Sequence, residues 1–304
     1  MSEIVLALVG PTASGKTNLA VSLAEVFGAE IVSADSMTVY RGMEIGTAKP
    51  SAEERARIAH HLLDVADPGE RFSVARYQGL ARAALSEIRA RDALPLVVGG
   101  SGLYFRAAVD DLDFPPTDPS VRSRIETEDT ESLAARLKRE DSDAAEFVDL
   151  ANRRRVVRAL EVIELTGRRF SSFRDAWGRY TPAIVAGLAP PLDELDVRIE
   201  TRLKGMLDEG LLDEVRALID GGHRDAVTSS QAIPYRQAVD LVENRMTTDE
   251  FLEQAARATR RLARRQLSWF RRDPRIRWFD AAQSERAGLE VRAYYSERLK
   301  EGRP

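Results

Sequence analysis

The residues of this chain best suited to chemistry are Gly10-Pro11-Thr12-Ala13-Ser14-Gly15-Lys16-Thr17. Their spacing is that of a phosphate-binding loop: two glycines separated by four residues, closed by Lys-Thr. The glycines let the main chain turn its N–H groups inward around an anion, and a helix that follows directs its positive end to the same place. Lys16 then sets an ammonium against the outer phosphate oxygens, and the Thr17 hydroxyl suits a phosphate oxygen or a magnesium ion. Such a site holds a diphosphate or a triphosphate.

Asp35 is the leading candidate for proton chemistry. A carboxylate at a strand end beside a phosphate cradle can accept a proton from an attacking nucleophile or position magnesium; an Asx-type turn or a helix cap formed with Ser36 is the alternative. Ser101 follows an apolar strand within Gly99-Gly100-Ser101-Gly102, where it either reaches the same phosphates or serves as a plain turn residue. That strand does not end in Asp, which argues against a motor or switch NTPase and leaves a transferase open. His60 and His61 are adjacent and point apart. With His223 as the third imidazole and no cysteine, they make a poor zinc set.

These groups need a scaffold. The apolar runs Ile4 to Val9, Ala29 to Ser33 and Leu94 to Val98 read as parallel strands, with Leu94 to Val98 third in order, and Ile184 to Leu188 as a further strand. A helix is expected after the phosphate loop and another over Val74 to Arg89. The loop from Met37 to Pro50 and the segment His60 to Asp64 are assigned no element. Pro115-Pro116-Thr117-Asp118-Pro119 marks a linker, and Val121 to Thr166 reads as helices only. Later helices are expected over about 194 to 220, 234 to 243, 248 to 272 and from Val291 to Glu301. The expected organisation is a first core part over 1–114, a helical insertion over 115–182 and a second core part over 183–304.

The net charge of −4 hides an uneven distribution. Arg153, Arg154, Arg155 and Arg158 form one basic cluster. Arg257, Arg261 and Arg265 share a helix face flanked by Arg260 and Arg264, with no acid between Glu253 and Asp273. Two such clusters are what a phosphodiester backbone needs, while solvated charged helices explain either one alone. The absence of cysteine, of an apolar run near the roughly 20 residues of a membrane span, and of a signal-peptide pattern leads to the expectation of a soluble cytoplasmic protein with no membrane partner. A monomer is expected.

Taken together, several segments resemble the bacterial tRNA dimethylallyltransferases, also called tRNA isopentenyltransferases of the IPP transferase family. They are the phosphate loop, Asp35-Ser36, Tyr40-Arg41-Gly42-Met43-Glu44-Ile45-Gly46-Thr47-Ala48-Lys49-Pro50, His60-His61-Leu62-Leu63-Asp64 and Gly99 to Tyr104. Further along stand Arg158 to Val162, Gly210 to Val215, and Ala258 to Gln266 with Trp269. The resemblance implies an α/β fold: a P-loop NTPase-like parallel sheet core flanked by helices, with an all-helical inserted domain gripping the anticodon stem-loop of a tRNA. It implies transfer of a dimethylallyl group from dimethylallyl diphosphate to N6 of adenosine 37, in tRNAs reading codons that begin with U, with Mg2+ as cofactor. Asp35 would be the base at N6, with Lys16 and Ser101 also in the catalytic set. Contacts to tRNA would come from Asp35, Ser36, Met37 and Thr38, from Ser101 and Arg124, from Arg154, Arg155, Val156, Val157 and Arg158, and from Gln231, Ala232, Ile233, Pro234, Tyr235 and Arg236. Pro234-Tyr235 stands where the family often has Gly-Tyr. A P-loop small-molecule or nucleoside kinase is the alternative, distinguished by ATP consumption and no need for the arginine helix. A non-catalytic RNA-binding protein, indifferent to Lys16→Ala, is the third reading.

Overall fold

The computed structural model describes residues 4–224 and 232–302. The chain divides into two compact units, Met1–Val109 with Pro182–Pro304, and Asp110–Thr181; the sequence had set the corresponding boundaries at 115 and 182.

The first unit is built on a six-stranded parallel sheet of order β3-β2-β4-β1-β5-β6. Its strands are β1 (Leu6–Val9), β2 (Ala29–Ser33), β3 (His60–His61), β4 (Leu94–Gly99), β5 (Ile184–Leu188) and β6 (Ile276–Phe279). Every residue of β1 and β5 is buried, as strands covered on both faces require. The helices of this unit that precede the second one are α1 (Lys16–Phe27), α2 (Ala52–Arg57), α3 (Val74–Ala90) and α4 (Gly102–Val109). Leu6, Leu8, Val21, Leu23 and Ala186 pack with Tyr295, whose hydroxyl donates to the Ala7 carbonyl in the middle of the sheet.

The second unit contains α5 (Pro119–Ile125), α6 (Thr130–Glu140), α7 (Ser142–Phe147), α8 (Arg153–Thr166), a 3-10 turn over Phe170–Phe173, and α9 (Arg174–Trp177). Thr181 N–H donates to Asp110 Oδ1 at 2.9 Å and joins its two ends. Its core is Ile125, Leu133, Leu137, Val156, Val157 and Leu160. Glu161 is fully buried there between Arg122 and Arg158, at 2.7 and 2.8 Å. Burial alone would raise its pKa, but hydrogen bonds from both guanidiniums and from Asp118 N–H hold it below the ordinary value.

The chain then returns to the first unit with α10 (Leu192–Asp208), α11 (Leu211–Asp220), α12 (Tyr235–Val242), α13 (Thr248–Phe270) and α14 (Ser284–Glu301). Three expectations need correction. The apolar run Leu94 to Val98 is the fourth strand rather than the third, because His60-His61 adds a two-residue edge strand through pairing with Ile31 and Val32. β6 was missed, since Ile276-Arg277-Trp278-Phe279 is only four residues long, has no clean alternation and lies between two helices. The single helix expected over 194 to 220 is two, because Gly210 at φ 99 turns left-handed and breaks it. Among the described residues no helix is long and apolar enough to cross a membrane.

Candidate active site

The carboxyl ends of β1, β2 and β4 place the phosphate loop, Asp35 and Ser101 side by side, which is where open parallel sheets bind ligands. Two cavities open there. One, of about 600 Å³, is lined by Thr12 to Thr17 together with Asp35, Lys49, Arg198, Arg202 and Gln266. The other, of about 440 Å³, is lined by Ser36, Met37, Gly46, Ser101, Pro234 and Arg265, among others. Asp35, Arg202, Gln266, Thr12 and Gly100 line both, so the cavities meet at the carboxylate.

In the first cavity Lys16 Nζ donates to the Pro11 carbonyl at 2.5 Å and to Ser14 Oγ at 3.3 Å. Its pKa falls from 10.5 to about 7, chiefly through burial and then through the nearby Arg202 cation, with the Asp35 carboxylate acting in the opposite sense. Arg202 is likewise depressed by burial, against the pull of Asp35 and Glu209. Two basic groups crowded at one partly buried cavity form a site matched to a polyanion. Arg202 Nη1 reaches Thr12 Oγ1 at 3.4 Å. The Thr17 hydroxyl lines this cavity without a protein hydrogen bond among the described residues.

Asp35 Oδ1 accepts from Met37 N–H at 2.8 Å, so the Asx turn weighed as an alternative role is present. The turn leaves Oδ2 without a hydrogen-bond partner among the described residues, and Asp35 lines both cavities. The carboxylate is thus oriented through one oxygen and open through the other. Ser101 N–H donates to the Ala34 carbonyl at 3.3 Å and the Ser101 carbonyl accepts Phe105 N–H at 2.9 Å, which ties the start of α4 to the strand end carrying Asp35. At Gly102 an added Cβ would lie 1.9 Å from the Trp269 ring, so only glycine lets α13 approach this closely. That approach delivers Gln266, whose Oε1 accepts Thr12 N–H at 2.9 Å.

The RNA-facing residues expected from sequence are sorted differently. Ser36, Met37, Ser101, Ala232, Ile233 and Pro234 line the second cavity, and Arg236 is exposed. Gln231 lies outside the described residues. Thr38 is buried on the phosphate side with its hydroxyl 2.9 Å from Ser33 Oγ, and Tyr235 is buried with its hydroxyl on Glu214. Both side chains are engaged in packing and hydrogen bonds within the protein. In the second unit Val156 and Val157 are core residues whose side chains face inward from α8, so they offer no exposed side chain to RNA. Arg158 is spent on Glu161 and the carbonyls of Pro115 and Pro116. Arg154 and Arg155 are exposed without an ion pair among the described residues; Arg124, also exposed, pairs with Glu164.

On α13 the arginines divide by face. Arg264 pairs with Asp196 at 3.0 Å, and Arg260 pairs with Asp196 and Glu200. Arg257, Arg261 and Arg265 are exposed and make no ion pair among the described residues, and Arg265 reaches the second cavity. The sequence missed Arg202 and the function of Gln266. Arg198 and Arg202, four residues apart on the helix that carries Ile199 and Leu203, were the available signal.

Sheet, phosphate loop and paired cavities define a P-loop protein of the group-transfer kind, holding a phosphorylated ligand against a second substrate. A family model described as IPP transferase matches residues 38–273, and one described as isopentenyl transferase matches residues 3–67. The chain belongs to the IPP transferase family. It is 50% identical over 284 residues to the tRNA dimethylallyltransferase of Thermobifida fusca (strain YX), covering 90% of this chain and 89% of that protein. The enzyme of the same name from Acidothermus cellulolyticus is 50% identical over 294 residues, covering 95% and 92%. Among solved structures, the full-length tRNA isopentenylpyrophosphate transferase of Bacillus halodurans matches with TM-score 0.73 and 39% identity over 99% of this chain and 98% of that one. A eukaryotic dimethylallyltransferase acting on tRNA matches with TM-score 0.86 over 100% of this chain and 81% of that one; at 24% identity this is a likeness of fold.

Proposed function

We infer that this chain is a tRNA dimethylallyltransferase. It moves the dimethylallyl group of dimethylallyl diphosphate to N6 of adenosine 37, in tRNAs reading codons that begin with U. The observation that carries the reading is the meeting of two cavities at Asp35, one walled by the phosphate loop and the other lined by Arg265, the end of the arginine face of α13 that makes no ion pair among the described residues.

The allylic carbon–oxygen bond breaks, the carbon becomes cation-like and negative charge gathers on the departing diphosphate. Loop N–H groups, Lys16 and Arg202 meet that charge in a site already arranged for it. The adenine N6 lone pair is delocalised into the ring, so the amine is a weak nucleophile. Asp35, held by Met37 N–H, accepts the N6 proton through Oδ2 as the carbon–nitrogen bond forms. Diphosphate leaves by the cavity that held it. Magnesium suits the phosphate side: no cluster of three or more acidic, His or Cys side chains could hold a metal among the described residues, but the partner-free Thr17 hydroxyl and substrate oxygens form the hard-oxygen set this ion takes. When bound it would add charge neutralisation at the departing diphosphate.

Reaching N6 requires the base to leave its stack, a step that costs less in a loop than in a duplex. Arg257, Arg261 and Arg265 on one unit and Arg154 and Arg155 on the other are suited to phosphodiesters of the anticodon stem-loop. Incubation with labelled dimethylallyl diphosphate, magnesium and unmodified tRNA carrying adenosines at positions 36 to 38 should label adenosine 37. Folded protein that leaves that base unlabelled would overturn the reading.

A further inference from the structure

The second cavity has two walls that are far apart in sequence, and one carboxylate holds both. Glu214 on α11 accepts from three consecutive main-chain donors: Glu44 and Ile45 N–H reach Oε2 at 2.7 and 2.9 Å, and Gly46 N–H reaches Oε1 at 3.2 Å. The same Oε1 accepts the Tyr235 hydroxyl at 2.6 Å. Gly46, whose amide is the last of the three captured, and Thr47 beside it form one wall of the cavity, and Ala232, Ile233 and Pro234, just before Tyr235, form another.

The chemistry of the loop explains why an anion sits there. Ala48 N–H donates to the Ile45 carbonyl and Lys49 N–H to the Glu44 carbonyl, so residues 44 to 49 curl as a single turn. The amides at the start of such a turn point outward together and form a concavity for negative charge. Glu214 fills it. Tyr235 then closes on the loop so tightly that a Cβ at Gly46 would lie 2.4 Å from its ring. Burial, and then the Glu214 carboxylate, hold the Tyr235 phenol far above its ordinary pKa, so it stays a donor at any working pH.

We propose that Glu214 is a positioning residue for the nucleobase: with Tyr235 it latches the 44–47 turn to the 232–234 segment and fixes the width of the base cavity beside Asp35. None of the four bonds reaches the phosphate loop; Thr47 lines the phosphate cavity as well as the base cavity, but Gly46 and residues 232–234 line the base cavity alone, so the latch governs the RNA substrate more than the diphosphate. The proposal rests on the tRNA dimethylallyltransferase reading.

The substitution Glu214→Gln keeps the volume but presents an NH2 group to donors at one end or the other, so the latch cannot close at both. Tyr235→Phe removes one bond of the four and keeps the ring against Gly46. With unmodified tRNA as the varied substrate, kcat/KM should fall about 10- to 100-fold in Glu214→Gln, as expected for a reacting group displaced by about 1 Å. It should fall roughly 3- to 10-fold in Tyr235→Phe. Affinity for dimethylallyl diphosphate, measured by calorimetry without tRNA, should stay within about twofold, and the double variant should lose no more than Glu214→Gln alone. Unchanged kcat/KM for tRNA in Glu214→Gln would overturn the proposal. So would a loss of diphosphate affinity matching the loss toward tRNA, or a double variant that loses the product of the two single effects. Wild-type protein assayed alongside separates the two ideas: failure of the wild type to label tRNA defeats the functional reading, while an active wild type matched by Glu214→Gln defeats the latch.

Discussion

Lys16 offers the sharpest quantitative test of the phosphate site. Its pKa drops from 10.5 to about 7 in the unliganded protein, first through burial and then through Arg202. That difference corresponds to about 5 kcal/mol between the two protonation states. A diphosphate replaces the lost solvation and offsets the Arg202 repulsion, so the bound form should hold its proton beyond pH 9. Binding therefore takes up a proton wherever the free lysine has lost one. The neutral fraction of free Lys16 is roughly one half at pH 7 and about 0.9 at pH 8, and the affinity should fall about 50-fold between pH 7 and pH 9. Dimethylallyl diphosphate is a suitable probe, because the last ionisation of a phosphate monoester, near pH 6, is largely complete over that range. Titration calorimetry without tRNA, in two buffers of different ionisation enthalpy, reads both the affinity and the proton uptake. In Lys16→Arg, whose guanidinium keeps its charge, the dependence should flatten. An affinity constant within about twofold from pH 7 to 9, with an enthalpy indifferent to buffer, would refute the reasoning. Folding responds with the opposite sign. Between about pH 7 and 10.5 the unfolded lysine holds more protons than the native one, so this group makes the unliganded chain more stable as pH rises through that window.

Other outcomes follow from the same geometry. Asp35→Asn should lower kcat by about 10²- to 10⁴-fold while dimethylallyl diphosphate affinity changes little, checked by single-turnover transfer and calorimetry. Neutralising Arg257, Arg261 and Arg265 together should reduce the slope of log affinity for tRNA against log salt by about 0.7 for each phosphate that no longer meets a cation; neutralising Arg260 and Arg264 should leave that slope unchanged and lower the melting temperature instead. Leu160→Ala, in the core of the second unit, should cost about 2–5 kcal/mol in denaturant unfolding of that unit.

Much of the site was legible from sequence because its chemistry is local. Gly10 to Thr17 carries its own strand and helix, so spacing alone placed the phosphate cradle. Asp35 was identifiable because a polar residue at the end of a buried parallel strand lies at the ligand edge of the sheet. Local pattern also gave β1, β2, β4 and β5 and most of the helices, since burial on both faces leaves unbroken apolar runs and burial on one face leaves a helical period. The paired β3 was not visible, because two histidines become a strand only when β2 offers its free edge.

Which charges remain available is a different kind of fact. Five arginines on one helix read alike in the sequence, yet Asp196 and Glu200, 60 or more positions earlier, pair with two of them, and the other three make no ion pair among the described residues. Val156 and Val157 sit beside exposed arginines in the chain and face the opposite way in space. Arg202, Gln266 and Glu214 reach the site from helices whose own periodicity says nothing of what lies opposite. The sequence by itself determined the reaction's phosphate end and the family, since those rest on contiguous residues. Tertiary structure alone decided the second cavity and which arginines stand without an ion pair among the described residues, because each is made by groups that meet only after the chain has closed on itself.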